Sequence, residues 1–229
     1  MRSGTTPPAG PRPGATRPAV LTLDTRTLIE RARALAVPGR RTILGITGPP
    51  GAGKSTLADA VVAALGPSLA VAVGMDGFHL SAAVLAAHGS AGRKGAIDTF
   101  DDTGYAALVA RLADARPGDH PVYAPAFRRE IEEPVAAGVE VPADVPLVVT
   151  EGNYLLADVG AWPAARDRMT EVWYVDVPDD VRRGRLVDRH HAFGKDRDDA
   201  HRWAHGSDEV NAAVVRETRD RATLVVRIA

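Results

Sequence analysis

Eight consecutive residues, Gly48-Pro49-Pro50-Gly51-Ala52-Gly53-Lys54-Ser55, have the types and spacing of a phosphate-binding loop, G-x-x-x-x-G-K-[ST]. The glycines let the backbone curl until several N–H groups face one anion, and a helix that follows adds its positive N-terminal end. Lys54 is long enough to reach the β- and γ-phosphates of a nucleotide, and the Ser55 hydroxyl can ligate Mg²⁺. A glycine-rich turn would explain the glycines but not the Lys-Ser pair that closes the run. Gly48, Gly51, Ala52, Gly53, Lys54, Ser55 and Thr56 are therefore the nucleotide-binding candidates. GTPases, ATPases and kinases share this loop, so alone it means nucleotide binding and no particular reaction.

Phosphoryl transfer to a hydroxyl needs more: a carboxylate to orient the hydroxyl, an acid on the metal side and cations over the transferred group. Asp76 lies just past an apolar run, in Val73-Gly74-Met75-Asp76-Gly77-Phe78-His79. Glu151 ends another, in Leu147-Val148-Val149-Thr150-Glu151. The second has the form of a Walker B strand, whose terminal acid stands near Mg²⁺. Either acid could instead cap the next turn, as acids at strand ends often do. Arg182, Arg183, Arg185 and Arg189 crowd a stretch that reads as helix, and Arg182, Arg185 and Arg189 share one face by their i, i+3, i+7 spacing. A basic helix face of this kind can close over phosphates as a lid, or simply be solvated.

The elements that must position these groups alternate. Thr42–Thr47, Leu69–Gly74, Val145–Thr150, Glu171–Val177 and Leu224–Ile228 read as strands. Ser55–Leu65, Thr103–Ala115, Asp179–His191 and Asp208–Arg221 read as helices. Another helix follows Asp24, its candidate cap, and stops at Pro38-Gly39. Residues 120–145 are punctuated by prolines, and Val135–Val141 holds a candidate hairpin. Strands without strict polar alternation, set between helices, imply an α/β three-layer sandwich: a parallel sheet of about five strands, helices on both faces and an Arg-rich lid. In such a sheet, ligands bind beyond the carboxyl ends of the strands, which aims Asp76 and the loop at 48–55 at one crevice. Residues 1–19, rich in Pro, Gly and Thr, cannot offset their ordering entropy by burial and are expected to be a disordered tail. Residues 20–229 form the single expected domain.

Bulk composition narrows the classes. The chain has 229 residues, 45% of them hydrophobic, enough for one sizeable core. A net charge of −1 argues against a nucleic-acid coat protein. The lack of cysteine excludes disulfides, thiolate metal sites and a cysteine nucleophile. No apolar run approaches the roughly 20 residues that span a bilayer, and no secretory leader is evident, so cytoplasm is the expected compartment. Of 28 basic residues only Lys54, Lys94 and Lys195 are lysines, and two of these fall inside motifs. A GTPase would carry an Asn-Lys-x-Asp motif, and no Asn-Lys pair exists here; Asp101-Asp102-Thr103-Gly104 fits the D-x-x-G pattern but follows no buried strand. A transporter ATPase would carry Ser-Gly-Gly, also missing. His201 and His205, with His190 or His191, could hold a metal only outside the H-E-x-x-H pattern of zinc proteases. Trp162, Trp173 and Trp203 read as packing residues.

These motifs together resemble the phosphoribulokinase, uridine kinase and pantothenate kinase superfamily, and within it the bacterial nucleoside/nucleotide kinase-like branch that includes proteins described as fructose transport system kinases. The resemblance rests on Gly-Pro-Pro-Gly-Ala-Gly-Lys-Ser-Thr at 48–56, Met-Asp-Gly-Phe-His at 75–79, Arg-Lys-Gly-Ala at 93–96, Asp-Thr-Phe-Asp at 98–101, Glu-Gly-Asn-Tyr-Leu-Leu at 151–156, Trp-Tyr-Val-Asp-Val-Pro at 173–178 and Arg-Leu-Val-Asp-Arg-His at 185–190. It implies ATP and Mg²⁺ as cofactors and a small-molecule hydroxyl acceptor as partner: a nucleoside, a pantothenate-like compound or a fructose-like sugar. It implies that Asp76 activates the hydroxyl, that Glu151 serves the metal with Ser55, and that Arg189 stabilises the transferred group while Arg185 contacts ATP. His79, Arg93, Lys94, Arg129, Asn153 and Tyr154 would lie where the acceptor binds. Asn211 and Arg219 would stand near the adenine or the lid. Two positions depart from the branch pattern: Ile97 replaces a usual Pro, and Arg128 replaces an Asp. No nucleic-acid or membrane partner is implied, and a homodimer is compatible, dimers being common among soluble enzymes. Two other readings of the loop stay open: a regulatory nucleotide-binding module that transfers nothing, and an ATP hydrolase.

Overall fold

The structure, a computed structural model, describes residues 18–192, 194 and 196–229, with His190 described by its backbone alone. Most of the expected disordered tail, residues 1–17, lies outside the described residues. Pro18 and Ala19 lead directly into a first strand, β1 (Val20–Leu23). Asp24 then caps α1 (Thr25–Leu35) by accepting the Thr27 amide at 2.7 Å, as its place before an apolar helix face foretells.

The central sheet is built from β1, β2 (Thr42–Thr47), β3 (Ala70–Gly74), β6 (Leu147–Glu151), β7 (Glu171–Val175) and β8 (Leu224–Ile228). Its spatial order is β1-β8-β7-β2-β6-β3, and every pairing is parallel. Between β3 and β6 the chain forms α3 (Ala82–Ala87), α4 (Asp102–Asp114) and an antiparallel hairpin, β4 (Val122–Arg128) with β5 (Glu133–Val141). The loop at 48–53 leads from β2 into α2 (Lys54–Leu65). Later come α5 (Trp162–Arg166), α6 (Asp179–Ala192), α7 (Arg197–His205) and α8 (Ser207–Arg216).

Helices cover both faces, and the strands show it by strict alternation. Ile43, Val148, Val172, Tyr174 and Val225 pack into a core with Tyr105, Leu108 and Leu112 of α4, Trp162 of α5 and Val215 of α8. Their neighbours Leu44, Val149, Trp173, Val175 and Val226 point the other way, into a core with Leu28 of α1 and Leu57, Val61 and Leu65 of α2. Sheet strands buried on both faces read as unbroken apolar runs, which is why these strands stand out in the sequence.

The departures have physical reasons. The sheet has six strands, not about five: β1 is a short edge strand with Val20 and Leu21 about 40% exposed, so it has no buried run to read. The hairpin is longer than Val135–Val141, because Pro125 and Pro134 sit inside its strands and disguise them. The pairing register shifts between Ala124 and Ala126, around Pro125, which has no amide to give the ladder. The last helix stops at Arg216, and Arg219–Arg221 is a separate 3-10 turn. The D-x-x-G run at 101–104 is a helix start: Asp101 accepts the Gly104 amide at 2.8 Å, and a Cβ on Gly104 would clash with that carboxylate.

Candidate functional site

The loop at 48–53 leaves the middle of the sheet, where the chain order reverses: β3 was laid down on one side of β2 and β7 on the other, which opens a crevice at the strand ends. Gly51 and Gly53 take φ +80° and +94°, and a Cβ on Gly51 would meet the Arg182 carbonyl at 2.6 Å. The loop therefore curls only as glycine allows and lies against the backbone of α6. Side chains cap α1, α3, α4 and α7 through Asp24, Ser81, Asp101 and Asp196. By contrast, α2 starts after left-handed Gly53 with no side-chain cap. Its first amides are left for an anion, and the macrodipole adds to the attraction.

Strand register brings the two carboxylates to this loop. Glu151 stands level with Ile46 of β2 on one side and Gly74 of β3 on the other, two residues short of Gly48 and Asp76 respectively. Asp76 lies in a 3-10 turn, Met75–Phe78, with its side chain about a third exposed. Lys54 is buried and folds back to donate to the Pro49 carbonyl at 3.2 Å. Desolvation lowers its pKa, while Glu151 and Asp76 act to raise it. Burial, reinforced by Asp76, pushes Glu151 up to about 7 against the pull of Lys54, a hydrogen bond from Ser55 and Arg129.

Around Asp76 the structure gathers several of the expected acceptor residues. Arg129, from the hairpin turn, brings Nη2 to 3.9 Å from Asp76 Oδ2. His79 Nδ1 is 2.8 Å from the Asp76 carbonyl and 4.0 Å from its carboxylate, with the ring held between Phe100 and Phe127. Burial lowers the His79 pKa, with Asp76 opposing, so a neutral imidazole is favoured. Gly77 lets the hairpin approach, since a Cβ there would meet the Pro125 carbonyl at 2.5 Å. Arg189 keeps solvent contact but is desolvated by the crevice, which lowers its pKa; Arg129 repels it, and Asp208, Asp76 and Glu151 attract it.

Other candidates have different surroundings. Arg93 forms a two-pronged pair with exposed Asp98, both contacts 2.8 Å. Lys94 donates to the Glu132 carbonyl. Tyr154 is buried and donates to the Gly95 carbonyl at 2.7 Å, so it props the 93–96 loop rather than opening to the crevice. Asn153 is half-buried, and its carbonyl accepts from Thr47 at 3.0 Å. Asn211, in α8, lies 3.9 Å from where a Gly95 Cβ would be. Arg128 is exposed, opposite Glu133 on the hairpin, and Ile97 packs against the core. His201 and His205 stack at 4.0 Å, and among the described residues no group of three His, Cys, Asp or Glu could hold a metal.

Arg182 corrects the expected lid face. It is fully buried, bonded to Asp179 and Glu209, and Arg183 and Arg216 join the same two acids. It clamps α6 to α8 instead of facing phosphate. Arg185 and Arg189 remain on the exposed part of the helix.

On the flank of the loop away from Asp76 lies a cavity of about 650 Å³. Its walls include Ala52, Gly53, Thr56, Val177, Arg185 and Ile228. Asp176, gripped by Arg227 at 2.5 Å and with Arg219 at 3.7 Å, stands at its edge, which puts Arg219 on this side. Sequence reading gave no role of its own to Asp176, which stands in the 173–178 motif, or to Asp208, which reads as an acid at a helix start.

An uncapped helix after a glycine loop, a buried lysine and a strand-end acid define a P-loop nucleotide-binding protein. The comparisons go further. The chain is 38% identical over 125 residues to an ATP-dependent kinase-like protein, notR', of Aspergillus versicolor, covering 52% of this chain and 73% of that one. It is 31% identical over 175 residues to a candidate uridine kinase of Schizosaccharomyces pombe, covering 73% and 74%. The crystal structure of a candidate fructose transport system kinase from Silicibacter sp. TM1040 superposes with a TM-score of 0.76 at 32% identity, covering 89% of this chain and 98% of that one. The model of the methylmalonyl-CoA mutase-associated GTPase MeaB family matches residues 16–94, the stretch around the phosphate loop. The chain belongs to the P-loop kinases of the uridine kinase type.

Proposed function

We propose that this protein transfers the γ-phosphoryl group of ATP to a hydroxyl of a small molecule: a nucleoside, a pantothenate-like compound or a fructose-like sugar. The observation that carries the reading is Asp76, a carboxylate on the open side of the same crevice as Lys54 and Glu151, with a separate cavity for the rest of the nucleotide on the other flank. A module that only bound nucleotide, or hydrolysed it, would have no use for Asp76, Arg129 and His79 gathered there. ATP is favoured over GTP because no guanine-reading Asn-Lys-x-Asp is present and the D-x-x-G run serves as a helix cap.

In this mechanism Asp76 orients the acceptor hydroxyl and takes its proton as the oxygen attacks in line. Lys54 and Arg189 spread over the charge that moves toward the leaving oxygen, so positioning and electrostatics do most of the catalysis. The loop amides and the start of α2 hold the phosphates, and Arg185 lies along the donor cavity. Ser55 and Glu151 suit Mg²⁺, which takes one or two protein oxygens and completes its shell with phosphate and water; when bound it would neutralise the phosphate oxygens.

The test is transfer from γ-labelled ATP to a panel of nucleosides, pantothenate, fructose and other sugars. Asp76→Asn should lower transfer to the acceptor by about 10²- to 10⁴-fold with nucleotide affinity unchanged. Full transfer by that variant would remove Asp76 from the role, and no transfer to any acceptor by the wild type would favour the regulatory or hydrolase readings.

A further inference from the structure

The turn between β4 and β5 carries Arg129 toward Asp76, and its own backbone does not hold it firmly. Glu132 has φ +53°, in the left-handed region that residues other than Gly, Asn and Asp avoid. The amides within the turn make long contacts: Ile131 to the Arg128 carbonyl at 3.3 Å and Glu132 to the Arg129 carbonyl at 3.4 Å. Two outside groups fix the far side. Glu133 accepts the Ala82 amide at the start of α3 at 2.9 Å. The Glu132 carbonyl itself accepts from the Lys94 ammonium, which stands 5.3 Å from the centre of the Phe127 ring.

Lys94 can do this because its own loop is anchored. The Gly95 carbonyl receives the Tyr154 hydroxyl at 2.7 Å, and the Gly95 amide donates to Thr99 Oγ1 at 3.0 Å. A continuous set of contacts therefore runs from the end of β6 through Tyr154, Gly95 and Lys94 to Glu132, three residues along the turn from Arg129.

We propose that Lys94 is a positioning residue: it holds Glu132 in the left-handed conformation and thereby fixes Arg129 opposite Asp76, without touching the acceptor itself. Its catalytic consequence rests on the kinase reading above, whereas the latch is a property of the fold and is tested separately. An ammonium over the Phe127 ring and a single charge-assisted hydrogen bond to a carbonyl suit a lysine to the task.

In the full chain, Lys94→Met keeps the stem and removes the donor. Amide exchange of residues 129–133 should rise about tenfold or more while the strands of the large sheet exchange as before. Lys94→Arg, which keeps a donor, should stay near wild type. Glu132→Asn in the Lys94→Met background should bring exchange back down, because Asn tolerates the left-handed region. Unchanged exchange in Lys94→Met overturns the latch. With the acceptor found in the panel, Lys94→Met and Arg129→Gln should each lower kcat/KM for that acceptor about 10- to 100-fold at unchanged KM for ATP, and the double variant should be no worse than Arg129→Gln alone. Losses that multiply would mean that Lys94 meets the acceptor directly, which overturns the proposal. If the wild type transfers to nothing, the kinase reading falls and the exchange experiment alone decides the latch.

Discussion

Glu151 is where the chemistry of single residues has the clearest consequence. Its pKa near 7 lies well above the 4.5 of an ordinary glutamate. The folded state therefore holds a proton that the unfolded chain gives up in mild acid. The stability this contributes is fully present below pH 4.5 and lost as pH rises through 7. Without ligand, the wild type should lose about 3 kcal/mol across that window relative to Glu151→Gln, in which this slope disappears; urea melts at a series of pH values check it. In the proposed metal role Glu151 must be a carboxylate, so Mg²⁺ affinity should move the other way and strengthen as pH rises through 7. At this scale the sequence was readable where chemistry is contiguous or tied to a strand end, as in 48–55, Asp76 and Glu151. It misled where partners come from elsewhere. Arg182 and Arg189 do share a helix face, but α8 covers that face at Arg182 and the crevice opens at Arg189. Tyr154 sits in a motif beside Glu151, yet its hydroxyl turns inward to Gly95.

Among the elements, α6 and α8 act as a unit. Arg182, Arg183 and Arg216 converge on Asp179 and Glu209, with Arg182 wholly removed from water. Burial alone would raise the Glu209 pKa, but hydrogen bonds from Arg216, Arg183 and Arg182 bring it down to about 2. Its contribution to stability is present above pH 4.5 and lost as pH falls toward 2. Glu209→Ala leaves the buried guanidinium with Asp179 alone and should destabilise the fold by about 3 kcal/mol in urea denaturation near pH 7. Because the Arg182 carbonyl also packs on Gly51, the variant should weaken nucleotide binding as well. Helices and buried strands were legible within a few residues from periodicity. The short helices α3, α5 and α7, one to two and a half turns each, carry too few positions for a period to show. The hairpin was hidden by two prolines in its strands.

Across the whole molecule, the cavity beside the phosphate loop, proposed above for the donor, depends on strands far apart in the chain. Thr25, just after β1, and Arg227, Ile228 and Ala229, in and after β8, line it beside the phosphate loop. Val20 to Leu23 pair in register with Val225 to Ile228. Removing residues up to Leu23 should therefore lower the melting temperature and weaken ATP binding measured by calorimetry, while Asp76 and the hairpin, on the opposite edge, keep their arrangement. The sequence predicted the layers and the central strands, because burial on both sides leaves an unbroken apolar run. It could not show β1, whose exposed residues belong to the sheet only through β8.

That pairing also bears on how the protein is made. On the ribosome, β1 emerges roughly two hundred residues before its only neighbour in the sheet, a separation that ranks among the slowest kinds of contact to form. Until β8 emerges, the nascent chain exposes an unpaired strand edge, and the pocket beside the phosphate loop lacks one wall. Tight nucleotide capture should thus begin only once β8 has been synthesised, and the ligand would stabilise chains that carry β8 in preference to those stalled or truncated before it.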